Sequence, residues 1–67
     1  MNIILQHIEL IERIDGLIRR EATGTPSKLS NRLGISKTTL YRVIKTMKEL
    51  NAPILYDASL QSFVYEE

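Results

Sequence analysis

A single glycine, Gly34, separates two amphipathic segments and constrains the fold of this chain more than any other residue. Before it, Leu29 and Leu33 lie four positions apart, and the small Ser30 follows the first of them. Glycine readily ends a helix in the left-handed conformation, and a small residue lets two helix backbones approach closely. The pattern therefore predicts two helices that cross at a tight turn.

The segment after the glycine has the pattern of a longer amphipathic helix. Ser36 is a favourable N-cap residue at its start. Apolar residues then recur on one side at helical spacing, at Leu40, Val43, Ile44, Met47 and Leu50. Thr25 and Pro26 suit the N-cap and the first turn of the helix before the glycine. We predict a helix-turn-helix unit with helices over 26–33 and 37–51.

Charge is distributed unevenly along the 67 residues, although the net charge is only +1. Residues 27–48 contain six lysines and arginines and no acid, whereas residues 1–26 carry −1 and residues 49–67 carry −4. Positive charge concentrated on one unit is the electrostatic footprint of a nucleic-acid-binding surface. A protein-interaction module of the same fold, on which the basic surface is incidental, is the alternative.

The outward face of the second helix supplies the side chains best suited to contact DNA. Arginine can bind guanine through two hydrogen bonds, and lysine, threonine and tyrosine can contact bases or phosphates. The candidates on this face are Thr38, Tyr41, Arg42 and Lys45, with Lys37 in the first turn. Lys28 and Arg32 share the outer face of the preceding helix, where they form either a solvated surface or phosphate contacts.

Residues 2–22 are predicted to form one long helix whose apolar residues cover an arc of about 180°. Because a surface helix needs a stripe of only about 100°, the excess indicates deep burial or a second apolar surface for a partner. Ile4, Ile8 and Ile11 are therefore candidates for a homodimer contact. His7 lies within the arc, and we interpret it as a partly covered surface histidine because no second candidate ligand accompanies it.

The apolar pattern changes to a period of two after the second helix of the unit, which predicts a β-hairpin over 53–66. Residues expected to face the core are Ile54, Tyr56, Phe63 and Tyr65. Leu55 and Val64 would then point outwards, where they form a second candidate surface for a homodimer. The predicted fold is mainly α with a small β-hairpin (α+β), in a single domain of residues 1–67.

Composition excludes several classes of function. The chain has no cysteine and one histidine, so it lacks the residues for a disulfide, a thiolate metal site or a histidine-rich metal site. Without a glycine-rich phosphate loop or paired carboxylates, we predict neither an enzyme nor a cofactor. No signal-peptide core and no apolar segment of membrane length is visible, which predicts a cytoplasmic protein with no membrane partner.

The order of helix, helix-turn-helix and hairpin resembles a winged helix. The stretch GISKTTLYR at 34–42, followed by NAPI at 51–54, is similar to the N-terminal winged helix-turn-helix of DeoR-type and biotin-operon repressors. In that family the second helix of the unit reads the major groove of double-stranded DNA, and the wing touches the backbone or the minor groove. The resemblance makes Lys37, Thr38, Thr39, Tyr41 and Arg42 the leading DNA contacts.

The complete predicted DNA site adds the N-cap serine and the neighbouring cations to these contacts. Its members are Lys28, Arg32, Ser36, Lys37, Thr38, Thr39, Tyr41, Arg42 and Lys45. Unlike the basic wings of the family, the tip at 58–61 carries no cation, which favours binding as a dimer over a wing contact. We predict a small transcriptional regulator; the alternatives are a winged-helix interaction module and the DNA-binding fragment of a larger regulator or enzyme.

Overall fold

The computed structural model describes residues 3–66, and its side-chain description begins at Leu5. Three helices and a two-stranded antiparallel hairpin follow in chain order: α1 (Ile3–Arg19), α2 (Pro26–Leu33), α3 (Lys37–Glu49), β1 (Ile54–Asp57) and β2 (Ser62–Tyr65). This confirms the predicted α+β class with three helices and a wing. The helix start at residue 2 and the side chain of Ile4 lie outside the described part.

Two of the helices end earlier than predicted. α1 ends at Arg19 rather than 22, because Glu21 adopts the left-handed conformation at φ +54°. α3 ends at Glu49 rather than 51, because Asn51 adopts the same conformation at φ +71°. Left-handed residues other than glycine are uncommon, so Glu21 carries no signal in the sequence, whereas asparagine, as at Asn51, adopts this conformation more readily than most residues.

The core is shared by all three helices and both strands. Its buried apolar members are Ile14, Leu17, Ile18, Leu29, Leu33, Leu40, Val43, Ile44, Met47, Ile54 and Phe63. Burying one such side chain stabilises the fold by roughly 1.5–3 kcal/mol. The first half of α1 lies outside this core, since Leu5 and Ile8 are 53% and 47% exposed. The wide apolar arc of α1 is therefore not buried along its whole length.

The turn between α2 and α3 has the geometry that the glycine predicts. Gly34 has φ +70°, and its N–H donates to the carbonyl of Asn31 at 3.2 Å. The next amide, of Ile35, donates to the carbonyl of Ser30 at 3.0 Å. These bonds satisfy carbonyl groups that the last turn of α2 would otherwise leave without a partner.

The hairpin does not alternate as predicted. Ile54 and Phe63 are buried and Leu55 is exposed, as expected, but Tyr56 is exposed and Val64 is buried. β2 packs against α1, and its residues Ser62, Phe63 and Val64 are buried in succession, so a simple period of two does not describe it. Val64 is thereby removed from the candidate dimer surface.

A buried pair of hydroxyl groups ties the wing to the connection between α1 and α2. Thr23 and Ser62 are almost fully buried, and their side-chain oxygens lie 3.1 Å apart. The Thr23 amide donates to Ser62 Oγ at 3.2 Å, and the Phe63 amide donates to Thr23 Oγ1 at 2.9 Å. Because polar groups buried without partners are destabilising, these bonds specify where β2 docks.

A second tie joins the end of the wing to α1. The Tyr65 hydroxyl donates to Asp15 Oδ1, while Asp15 Oδ2 accepts from Arg19 Nε at 3.0 Å. The hydrogen bond from Tyr65 and the nearby Arg19 lower the pKa of Asp15 against an opposing effect of desolvation. Burial, with the hydrogen bond to Asp15, raises the pKa of Tyr65 to about 12.

Replacing Gly34 by alanine tests the left-handed turn. Apart from its chain neighbours, no heavy atom lies within 4 Å of the added Cβ, so the cost is that of the left-handed backbone, and we expect the free energy of unfolding to fall by about 1 kcal/mol. The control Gly16→Ala lies within α1, where the added Cβ meets Arg20 Nη2 at 3.5 Å. It should raise stability by about 0.5–1 kcal/mol. Urea denaturation measures both; equal effects of the same sign would contradict this account.

The tie between Tyr65 and Asp15 predicts a loss of stability at high pH. An unfolded tyrosine titrates near pH 10, and the folded pKa of Tyr65 is raised. Its contribution is therefore fully present below about pH 10 and is lost as the pH rises towards about 12. Tyr65→Phe should lower the free energy of unfolding by about 1.5 kcal/mol at neutral pH and reduce its decline above pH 10.

The parent and the Tyr65→Phe protein share their other tyrosines, so the difference between their free energies of unfolding as a function of pH isolates Tyr65. If the stability of the Tyr65→Phe protein declined above pH 10 as steeply as that of the parent, the tie would be ruled out.

At acid pH the tie has a second consequence. The lowered pKa of Asp15 adds stability that is lost as the pH falls through the range where a free carboxyl becomes protonated.

Candidate nucleic-acid interface

α3 has one buried side and one exposed side. Leu40, Val43, Ile44 and Met47 are buried in the core. The exposed residues on the other side include Thr38, Tyr41, Arg42 and Lys45, as predicted, and Tyr41 is 51% exposed. Leu50, expected on the buried side, is 70% exposed because it follows the last helical residue. The cations of α3 therefore project from a surface whose orientation the core determines.

The dimensions of the exposed α3 face suit a groove in DNA. Thr38 and Lys45 are seven positions apart, which is about 10 Å along the helix axis at roughly 1.5 Å per residue. The major groove of B-DNA is about 12 Å wide and admits an α-helix. Among residues 3–66, the ion pair between Arg19 and Asp15 is the only one, so Arg42 and Lys45 have no carboxylate partner there.

Ser36 and Thr39 have a structural role at the start of α3. Ser36 Oγ accepts from the Thr39 amide at 3.1 Å and lies 3.1 Å from Thr39 Oγ1, to which it donates. The serine thus caps the helix, and the proton of the threonine hydroxyl stays available to a phosphate oxygen. Lys37, the first residue of α3, is exposed beside this cap.

The two predicted cations of α2 are both exposed but differ in their surroundings. Lys28 lies in the first turn of α2, where its amide donates to Thr25 Oγ1 at 3.3 Å. Arg32 lies near the end of α2, and its Nη1 donates to the carbonyl of Ala22 at 3.4 Å. Arg32 is therefore directed towards the end of α1.

A family model described as an HTH domain matches residues 14–59, which is more than half of the chain. The chain belongs to this helix-turn-helix family. No curated protein and no solved structure gives a significant match. The match extends from the second half of α1 through the helix-turn-helix unit into the turn between the strands, and together with the hairpin it defines a winged helix-turn-helix domain. The helix-turn-helix is a DNA-binding unit, so the family supports DNA as the partner.

The helix-turn-helix domain also carries a basic cluster that the sequence analysis missed. Arg13 of α1, Arg20 just after α1 and Arg32 of α2 line one depression of about 210 Å³, together with Leu17. Arg13 and Arg20 are seven positions apart and so share a helix face, which is the one signal in the sequence. That Arg32 joins them depends on how α2 packs against α1.

The wing tip of the domain does not resemble a phosphate-binding loop. Asp57 Oδ1 accepts from the Ser59 amide at 2.9 Å, the Ser59 hydroxyl at 2.6 Å and the Leu60 amide at 3.1 Å. The Ser59 hydroxyl and the Leu60 amide hold the pKa of Asp57 below its usual value. An ionised carboxylate in the turn and a half-exposed Leu60 replace the cations of a basic wing.

Two further predictions concern metal binding and membranes. Within residues 3–66, no three histidine, cysteine or acidic side chains are grouped as a metal site requires. His7 is exposed on the first half of α1. None of the helices in the described part of the chain has the length and apolar character needed to cross a membrane.

Removing the cap of α3 tests how firmly the interface is positioned. Ser36→Ala deletes the acceptor for the Thr39 amide and should lower the free energy of unfolding by about 1 kcal/mol. Ser36→Asp keeps a good capping group and should stay within about 0.5 kcal/mol of the parent. Chemical denaturation followed by circular dichroism distinguishes them, and equal losses in both variants would contradict the capping role.

Proposed function

We propose that the protein binds specific sequences of double-stranded DNA as a small transcriptional regulator and inserts α3 into the major groove. The observation that supports this most strongly is the division of α3 into a side anchored in the core and an exposed side whose cations have no carboxylate partner among residues 3–66. Family membership supports DNA binding, while the specific target and the regulatory role belong to the proposal. Such a regulator would act in the cytoplasm.

The side chains of the exposed α3 face have distinct proposed roles. Arg42 can bind O6 and N7 of a guanine, a contact worth about 1–3 kcal/mol of discrimination against other bases. Thr38 and Lys45 reach bases or phosphates, and Tyr41 packs its ring on a sugar or a thymine methyl group. Lys37 and the Ser36–Thr39 cap lie at the entering end of α3, where phosphates are contacted.

The cations of α2 complete the proposed DNA site. Lys28, at the start of α2, would contact the phosphate backbone that this helix crosses. We include Arg32 for the same purpose, although its hydrogen bond to Ala22 directs it towards α1.

We further propose that the regulator acts as a homodimer, because a wing tip without cations leaves a single unit with few contacts. Two recognition helices would then occupy half-sites about 34 Å apart, or a multiple of that distance. Ile8, which is 47% exposed, and the half-buried Ile11 favour α1 as the contact. Of the two hairpin candidates, Leu55 is exposed and Val64 is buried. The mass of the protein in solution tests this part.

Exposed apolar residues favour a second candidate, a winged-helix interaction module. Ile11, Met47, Leu50 and Ala52 are among the residues that line a groove between α1, the end of α3 and the wing, and Leu50 is largely exposed there. A partner protein could occupy this groove, and the basic face of α3 would then be incidental. DNA titrations separate the two candidates.

Replacing both Arg42 and Lys45 by alanine tests the DNA-binding proposal. Each phosphate contact contributes about −0.9 to the slope of log K against log salt, so losing Lys45 as a phosphate contact should make the slope shallower by up to about 0.9. We also expect affinity for a selected duplex to fall more than affinity for random DNA, because a base contact is lost. Fluorescence anisotropy at several salt concentrations measures both quantities.

The matched control replaces one arginine and one lysine outside the proposed DNA site, as Arg19→Ala with Lys48→Ala. It changes the net charge equally and should bind the selected duplex with nearly the parental affinity and salt slope. Circular dichroism establishes that both double variants are folded at the assay temperature. If the Arg42→Ala, Lys45→Ala protein binds DNA as the parent does, the interaction module becomes the better account.

A further inference from the structure

Three arginines line one surface depression. Arg13 lies in α1, Arg20 directly follows the last residue of that helix, and Arg32 comes from the last turn of α2. Leu17, which is buried, forms the apolar floor between them. The lining contains no acidic residue. The depression lies outside the exposed face of α3, with which it shares no residue.

Backbone carbonyl groups hold two of these guanidinium groups in place. Arg20 Nε donates to the carbonyl of Gly16 at 3.2 Å, and Arg32 Nη1 donates to the carbonyl of Ala22 at 3.4 Å. Each bond uses one of several N–H groups, so each guanidinium retains donors for a ligand. The carboxylate that pairs with an arginine on α1 is Asp15, which is bound to Arg19 and not to this cluster.

Like charges held close together repel each other, and an anion between them turns the repulsion into attraction. Guanidinium groups bind carboxylate or phosphate oxygens through parallel hydrogen bonds. A carboxylate offers two oxygens and is satisfied by one guanidinium. Three arginine side chains that line one depression suit a tetrahedral group with more oxygens and more negative charge.

We propose that the depression formed by Arg13, Arg20 and Arg32 is a binding site for a phosphate group. The phosphate belongs either to a small molecule in solution or to the backbone of the bound duplex. The second source rests on the proposed function, and the first does not. In both cases Arg13 and Arg20 are ligand-binding residues that the helix-turn-helix pattern does not reveal.

The test titrates the full chain with inorganic phosphate at constant ionic strength, balanced with chloride. The Nε–H signals of the three arginines in nitrogen-15 NMR spectra should shift in a saturable way. In the Arg13→Ala, Arg20→Ala protein, the affinity for phosphate should fall at least about tenfold. The charge-matched Arg19→Ala, Lys48→Ala protein should bind phosphate like the parent.

A second arm identifies the source of the phosphate. If the duplex backbone supplies it, the Arg13→Ala, Arg20→Ala protein should have a shallower salt slope for DNA, by up to about 1.8. If a small molecule supplies it, the Arg13→Ala, Arg20→Ala protein should lose saturable phosphate binding and should bind DNA like the parent. Phosphate shifts that never saturate, together with parental DNA binding, would overturn the proposal. Failure of DNA binding by α3 leaves the phosphate titration interpretable, so the two proposals fail separately.

Discussion

The rest of the structure depends on the burial of one side of α3. Leu40, Val43, Ile44 and Met47 pack into a core that α1, α2 and the wing complete. Each buried side chain contributes roughly 1.5–3 kcal/mol, and small domains are stable by only about 5–15 kcal/mol. Rotating α3 far enough to hide its cations would therefore unfold the domain. The exposed face is held in one orientation before any ligand arrives, which lowers the entropic cost of binding.

The wing completes that core, yet two short strands are marginally stable by themselves. Its position comes from contacts with α1 and the residues that follow it. Thr23 and Ser62 form the buried tie, and Tyr65 with Asp15 forms the tie at the surface. Both involve residues about 40 to 50 positions apart in sequence. Val64, between Ser62 and Tyr65, is buried, and the wing tip is a turn around the Asp57 carboxylate, so the wing supports α3 more than it extends the basic surface.

Local chemistry made parts of this fold predictable. The bounds of α2 were predicted correctly because Thr25, Pro26 and Gly34 each suit one position at its ends. The end of α1 was wrong because a left-handed glutamate, Glu21, carries no comparable signal. Val64 was assigned to the wrong environment because a period of two assumes one covered face, whereas β2 is packed against α1 as well. Tyr56 on β1 was also assigned wrongly: it is exposed, although its ring packs edge-on against that of Phe63.

The candidate site also has parts that could be predicted from the sequence and parts that could not. Exposure of the cations on α3 followed from helical spacing, because core and surface alternate along a single element. The cluster of Arg13, Arg20 and Arg32 required the packing of α2 against α1. The role of α3 in DNA binding is best tested by following backbone amide chemical shifts during titration with a selected duplex. We expect the largest changes within residues 36–45, whereas changes confined to the first half of α1 and the groove at Leu50 would rule out DNA binding through α3.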